Sequence, residues 1–316
     1  MSPAISIVMP CYNAAAHLRR SVGSVFAQTR PDWELIVVDD GSTDASWQML
    51  QQLAAQDLRI RIYRQANAGA AAARNRALLE AHGAYTGFLD ADDTWHPEFL
   101  AAMVPALEAE SGAGIAYCGW QSIGLGGGRD DPFVPPDYEN GGKTESLLGG
   151  CRWPIHGALV RTRLIREAGC FDASLSSCMD YDLWLRLGTR NRLIRVPRVL
   201  AYYHHHGGDQ ITGNKARIAL NHWRAQLKFL RANPAVTNTL GARRIEELTS
   251  GELLRRGYAA YWKRDLPAAR RIFRTVMKQG YGTLKDWKYM LPAWLPASWH
   301  RWLIGQQDRD THKTNG

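Results

Sequence analysis

Short apolar runs, each closed by a polar turn and followed by an amphipathic stretch, constrain this chain more than any other feature. Residues 5–9, 34–38 and 84–89 are too short for helices and almost continuously apolar. Such runs predict strands buried on both faces. Residues 59–63 alternate apolar and polar side chains as a third strand would, and residues 115–118 supply a fifth. Between them Leu18, Val22 and Val25 recur at +4 and +3, marking a helix to about Gln28. Trp47, Leu50 and Ala54 mark a second helix. An alanine-rich stretch through Leu78 and Leu79 marks a third, and Leu100, Met103 and Leu107 a fourth. Strand and helix alternating through short connections predict an α/β fold, a mainly parallel Rossmann-like sheet with helices on both faces. Pro10 is expected to end the first strand's ladder, and Asn13 to cap the helix after it.

In such sheets the ligand crevice lies beyond the carboxyl ends of the strands. Here those ends carry Tyr12 and Asn13, Asp39 and Asp40, and Asp90, Asp92 and Asp93. Crowded like charges disfavour one another's ionised form. A hard divalent cation resolves that conflict: Mg²⁺ or Mn²⁺ takes one or two carboxylates together with phosphate oxygens. The bland alternative has Asp93 capping the helix after Pro97, with Asp90 and Asp92 solvated. No Gly-x-Gly-x-x-Gly follows a strand and no Gly-x-x-x-x-Gly-Lys-Ser/Thr occurs, so dinucleotide and P-loop readings fall away. The glycines of residues 124–128 lie outside any strand-to-helix junction and read as a mobile loop. Five widely spaced cysteines without a Cys-x-x-Cys pair read as reduced thiols of a cytosolic protein. Apolar residues start at once with no basic leader, so no secretory signal is expected, and no run is long enough to span a bilayer.

The ordered motifs resemble family 2 glycosyltransferases, inverting enzymes of the GT-A fold. They are Pro10-Cys11-Tyr12-Asn13, Asp39-Asp40-Gly41-Ser42-Thr43-Asp44, Asn67-Ala68-Gly69 with Ala73-Arg74-Asn75, Phe88-Leu89-Asp90-Ala91-Asp92-Asp93, Gly169-Cys170-Phe171-Asp172, and Asp180-Tyr181-Asp182-Leu183-Trp184. The resemblance covers roughly residues 4–213 and implies a donor half to about 118 and an acceptor half from 119. It implies a nucleotide pocket of Pro10, Tyr12, Asn13, Asp39, Asp40, Asn67, Gly69, Arg74 and Asp90. Tyr12 would pack on the base, Asp40 would bond the base edge and Asp39 would support the pocket. Mn²⁺ or Mg²⁺ would be held by Asp92 with Asp90 and His206. Asp180 is the implied catalytic base, with Met179 where the family carries Glu. Trp120, Trp153, His156, Asp182 and Trp184 are the implied acceptor-side residues. Asp182 has a second reading as a cap of the helix it opens, and the tryptophans as plain core. Three adjacent histidines on an extended strand cannot all face one site. Lys215 and Arg217 are candidates to close over the diphosphate. The implied function is transfer of a sugar from a nucleotide-sugar donor, UDP by default, to a glycan or lipid-linked acceptor. A sugar nucleotidyltransferase and a non-catalytic, membrane-associated nucleotide-sugar-binding scaffold are the alternatives. The first lacks a glycine-rich basic loop after strand one. The second rests on Met179.

Charge separates off the last third. Residues 215–316 hold 20 Lys and Arg against 7 Asp and Glu, and six of the twelve tryptophans. Residues 1–214 hold 19 against 23. Periodic apolar residues predict helices from Ala219 to Leu230, over 245–256 and over 266–278, an α-helical C-terminal region from about 214. Residues 285–303 mix aromatic anchors with Lys285, Lys288, His300 and Arg301, which suits an anionic membrane surface on the cytoplasmic face. A helical cap packed on the preceding domain is the alternative, and no nucleic-acid module is visible. Residues 308–316 read as disordered.

Overall fold

The computed structural model describes residues 3–124, 130–206 and 213–300. The expectations on 125–128, on 207–212, on Arg301, Trp302 and Leu303, and on 308–316 lie outside them. The chain divides into two compact units, Met1–Gln210 and Ile211–Gly316.

The first unit opens with β1 (Ile5–Cys11), α1 (Ala15–Phe26), β2 (Trp33–Asp39), α2 (Ser46–Gln56), β3 (Ile60–Arg64), α3 (Ala70–Leu79) and β4 (Tyr85–Phe88). β1 lies between β2 and β4, and β3 beyond β2, all parallel. Central position explains the runs: every residue of β2 is buried, and all of β1 save Pro10. Leu18, Val22 and Val25 of α1 are buried on this layer, each contributing about 1.5–3 kcal/mol by leaving water.

Pro10 does not stop β1. It pairs with Val38, and the strand continues to Cys11. The Cys11 carbonyl accepts the Asp40 N–H on the β2 side, so neighbouring Pro10 faces the β4 side. There the ladder has already ended at Phe88, and a missing N–H costs nothing.

Next come β5 (Thr94–Trp95), α4 (Phe99–Glu108), β6 (Ala113–Ile123), β7 (Pro132–Phe133), α5 (Lys143–Leu148), β8 (Ala158–Arg161), α6 (Thr162–Glu167), α7 (Met179–Gly188) and β9 (Arg192–His204). The strand order is β3-β2-β1-β4-β8-β6-β9-β5, with β7 on β6. β8 enters antiparallel between β4 and β6, and β5 runs antiparallel to β9. The first half is therefore the expected parallel sheet, and the second half makes the whole mixed.

The second unit is helical: α8 (Lys215–Ala232), α9 (Pro234–Leu240), α10 (Ala242–Glu246), α11 (Glu252–Trp262), α12 (Leu266–Lys278) and α13 (Leu284–Met290). A π-helical turn, Glu247–Gly251, interrupts the helix expected over 245–256. α11 and α12 pack tightly at Gly257, where a Cβ would stand 2.7 Å from the Phe273 ring. Leu253, Tyr261, Ile272, Phe273 and Val276 fill the unit's core.

Candidate active site

The first two strand-end turns are stitched to each other. Asn13 adopts a left-handed backbone (φ 48°). Its side-chain oxygen accepts the N–H groups of Thr43 and Asp44 at 2.8 and 3.4 Å. Its own N–H donates to Ser42 Oγ at 2.9 Å. Asn13 therefore does not cap α1. The first N–H groups there donate across the crevice instead, Ala14 to Ser46 Oγ and Ala15 to Asp44 Oδ2. Tyr12 stands free on this rim, 52% exposed, a ring face available for stacking.

Asp39 and Asp40 are both buried. Asp40 accepts from Gln65 Nε2, the Ala68 N–H and the Gly69 N–H at 2.7–2.9 Å. A carboxylate offers about four lone-pair positions, so one remains for a base edge. Its main work is to fix the turn of Asn67, Ala68 and Gly69 (φ 91° at Gly69) that opens α3. Asp39 pairs with Arg64 Nε at 3.0 Å. Burial, then the Asp39 charge, pushes the adjacent Cys11 thiol up to about 12.

The Asp90–Asp93 turn is gripped from α1 by its backbone. Ser21 Oγ donates to the Asp90 carbonyl and Arg20 to the Asp92 carbonyl. Arg74, buried beside the Phe171 ring, pairs with Asp90 Oδ1. Asp92 Oδ2 lies 3.0 Å from His206 Nε2, and the His17 ring packs on His206 at 4.3 Å. The histidine run divides as an extended strand requires: His204 Nε2 meets Thr94 Oγ1 and His205 meets Ser122. Asp93 is no helix cap. It is buried, accepts the His204 N–H at 2.9 Å, and sets Oδ2 3.1 Å from His156 Nδ1.

Among the described residues no three His, Cys, Asp or Glu side chains gather into a metal cage. Asp92 and His206 offer one oxygen and one nitrogen, and Asp90 keeps its second oxygen, the first being paired with Arg74. That open, incomplete donor set fits a cation whose remaining ligands are diphosphate oxygens and water.

Asp180 lies in the first turn of α7, half-buried. Burial holds its carboxyl above the usual Asp range, with the Asp90 charge adding, against the Tyr181 N–H and Arg74. Met179 before it is buried. The acceptor-side set needs correction. Trp153 and Trp184 are each 1% exposed. Trp153 stacks on Tyr117 at 4.6 Å and meets Trp184 at 5.9 Å, so both rings are core and present no face to a sugar. His156 is fully buried under Asp93 and Tyr203. Asp182 is buried and paired with Arg186 at 2.6 Å, whose guanidinium also binds the Cys170 carbonyl. It is anchored to the framework, not turned to an acceptor. Trp120 alone of these rings stays half-exposed, 4.8 Å from Phe133.

The sequence motifs do not point to His17, Arg20 or Ser21. With Ser24, which accepts the Trp95 N–H, they form a polar stripe at i, i+3, i+4 and i+7 on α1. That periodicity, beside the apolar stripe of Leu18, Val22 and Val25, was the readable signal.

Comparison with known proteins agrees with this geometry. The family model "Glycosyl transferase family 2" matches residues 6–166, half of the chain. A putative teichuronic acid biosynthesis glycosyltransferase, TuaG, of Bacillus subtilis is 39% identical over 133 residues, 42% of this chain and 52% of that one. A putative colanic acid biosynthesis glycosyl transferase, WcaA, of Escherichia coli is 32% identical over 226 residues, 69% of this chain and 78% of that one. The chain thus spans about half of the first, and as little as 24% of another curated relative. Among solved structures, S. aureus TarS 1-349 in complex with UDP-GlcNAc has a TM-score of 0.58 at 18% identity, over 87% of this chain and 83% of that one. The mannosyltransferase PcManGT from Pyrobaculum calidifontis, in complex with GDP-Man and Mn²⁺, has 0.58 at 17%, over 97% and 85%. These likenesses give the fold, GT-A. The matched model, the WcaA relative and the strand-end motifs together place this chain in glycosyltransferase family 2.

Proposed function

We propose that the chain is a metal-dependent inverting glycosyltransferase, moving a sugar from a UDP-sugar to a hydroxyl of a glycan or lipid-linked acceptor in surface polysaccharide synthesis. The observation that carries the reading is the rim of strand-end turns, where Asp40 fixes the Asn67–Gly69 turn and Arg74, from the helix that turn opens, pairs with Asp90. Asp180, half-buried in the first turn of α7, is the candidate for the base that the transfer requires. The names of TuaG and WcaA support polysaccharide synthesis, and TarS with UDP-GlcNAc and PcManGT with GDP-Man support a nucleotide-sugar donor, UDP being the default base.

In this reading Tyr12 stacks on the base while Asp40, with Asp39 behind it, takes the base edge. A bound Mn²⁺ or Mg²⁺ supplies countercharge to the diphosphate, and Asp92, His206 and Asp90 would hold it. Asp180 accepts the proton of the acceptor hydroxyl as its oxygen attacks the anomeric carbon in line. The bond from that carbon to the diphosphate oxygen breaks, its electron pair leaves with the nucleotide, and the centre inverts. No described helix is long and apolar enough to cross a membrane. The basic second unit would instead hold the enzyme on the anionic inner face of the membrane, where lipid-linked acceptors lie.

Thermal melting with UDP, GDP or dTDP, each with and without Mn²⁺, tests the donor half. A ligand at 100 times its Kd stabilises the fold by about 2.7 kcal/mol. UDP with Mn²⁺ is expected to raise the melting temperature, and Asp92→Asn to abolish the rise. Asp180→Asn is expected to keep the rise and lose about 10²–10⁴-fold in turnover. No shift with any nucleotide, or wild-type turnover in Asp180→Asn, would sink the reading.

A further inference from the structure

We propose that Asp93 is the positioning residue that sets His206 against Asp92. Neither Asp92 nor His206 is fixed by its own element. Asp92 sits in a turn, and His206 lies two residues past the end of β9. A chain leaving a strand has two soft dihedrals per residue. The His205 N–H holds it to the Ile123 carbonyl on the β6 side, and the approach of Asp92 and His206 to 3.0 Å needs a grip on the Asp92 side as well. Asp93 supplies it. One residue from Asp92, its Oδ1 accepts the N–H of His204, two residues from His206. Thr94 adds a second grip, Oγ1 to His204 Nε2 at 2.9 Å.

The other end of Asp93 is enclosed rather than bonded: Oδ2 lies 3.1 Å from His156 Nδ1 without hydrogen-bond geometry, and His156 is held in turn by its carbonyl, which accepts the Trp95 indole N–H at 2.7 Å. Pairing of Thr94 with Tyr202 and of Trp95 with Ala201 holds the two segments in register. An apolar side chain could fill the buried volume at 93, but it could not accept the His204 N–H. The carboxylate is thus explained by what it holds in place, not by packing.

The inference rests on the reading of Asp92 and His206 as holders of the donor's cation. Metal-site partners of this kind typically change metal affinity about 10–100-fold. Mn²⁺ retention, followed by electron paramagnetic resonance with UDP present, separates the two claims. Wild type is expected to retain Mn²⁺ and Asp92→Asn to lose it. Asp93→Ala is expected to bind about 10–100-fold more weakly at a melting temperature that still shows a folded protein. Asp93→Asn, which keeps an acceptor for the His204 N–H, should recover most of the affinity. If Asp93→Ala does not fold, Thr94→Val loosens the same strand end from a half-exposed position and should lose a smaller part. Wild-type retention in Asp93→Ala, or in Thr94→Val where that variant stands in, while Asp92→Asn fails, overturns the positioning role alone. Failure of Asp93→Asn to recover reduces Asp93 to a structural carboxylate. Equal retention in wild type and Asp92→Asn, or none in wild type, overturns the metal reading and the inference with it.

Discussion

Asp180 and Glu34 are two carboxylates that the protein treats in opposite ways. Asp180 is held above the ordinary Asp range, chiefly by burial, so the folded state binds its proton more tightly than the unfolded chain does. Its contribution to stability is then largest at acid pH and declines as pH rises from the unfolded value through the folded one. A base works only when ionised, so turnover is expected to climb over that same rise. The acid limb of the kcat profile should sit above the ordinary Asp range and vanish in the residual rate of Asp180→Asn. At neutral pH Asp180→Asn should melt above wild type, which the same melting curves would show. An acid limb unchanged in the variant would assign it to another group. Glu34 runs the other way. Burial alone would raise it, but the His82 N–H, the Ser6 hydroxyl and Arg61 outweigh burial and lower it. Its contribution is present above the unfolded pKa and lost as pH falls through the folded one. Glu34→Ala should cost about 2–3 kcal/mol at pH 7 in denaturant unfolding, and less as pH falls through the folded pKa.

At the scale of elements, what the sequence shows clearly is what depends on local pattern. β1, β2 and β4 could be read because a strand covered on both faces must be apolar throughout. The donor turns could be read because parallel strands deliver their carboxyl ends to one rim. What a side chain does beyond its own element was not legible. Asn13 has the chemistry of a helix cap, yet it spends its amide on the turn after β2. Asp182 reads as an acceptor contact until Arg186, one helical turn on, takes it. Trp153 and Trp184 look like sugar platforms in a string of letters, but only burial distinguishes a platform from core. Two variants follow. Asn13→Ala removes the bonds between two turns at a left-handed position, and should cost about 1–2 kcal/mol while weakening nucleotide binding. Asn13→Gly relieves the backbone part and should recover some stability but not the binding. Trp153→Ala empties a fully buried site and should cost about 3–5 kcal/mol in the same unfolding assay. A loss below 1 kcal/mol there would mean that the ring is not core in solution.

Across the whole molecule, charge and aromatic exposure differ between the two units. The expected membrane face is smaller than the sequence implies, because Trp287 and Tyr289 pack on the helical core and His300 is buried. What stays outside is sharper for it: Leu284, Leu291, Trp294 and Trp299 are 50–91% exposed, and Lys285 and Lys288 are exposed beside them. Arg274 and Lys278 stand over the Trp294 ring at 5.2 and 5.9 Å, so cation and aromatic share one patch. Rings of this kind seat at the headgroup level of a bilayer, and each lysine near an anionic leaflet contributes about 1 kcal/mol. Sedimentation with vesicles of phosphatidylglycerol and phosphatidylcholine should therefore show binding that phosphatidylcholine alone does not support and that 0.5 M salt weakens. Lys285→Ala with Lys288→Ala should weaken it by about 2 kcal/mol, roughly 30-fold. Trp294→Ala with Trp299→Ala should weaken it at every salt concentration, because the aromatic contribution is not screened. The two pairs thus separate charge from insertion. Binding indifferent to lipid charge, or untouched by either pair, would leave the basic second unit needing another partner.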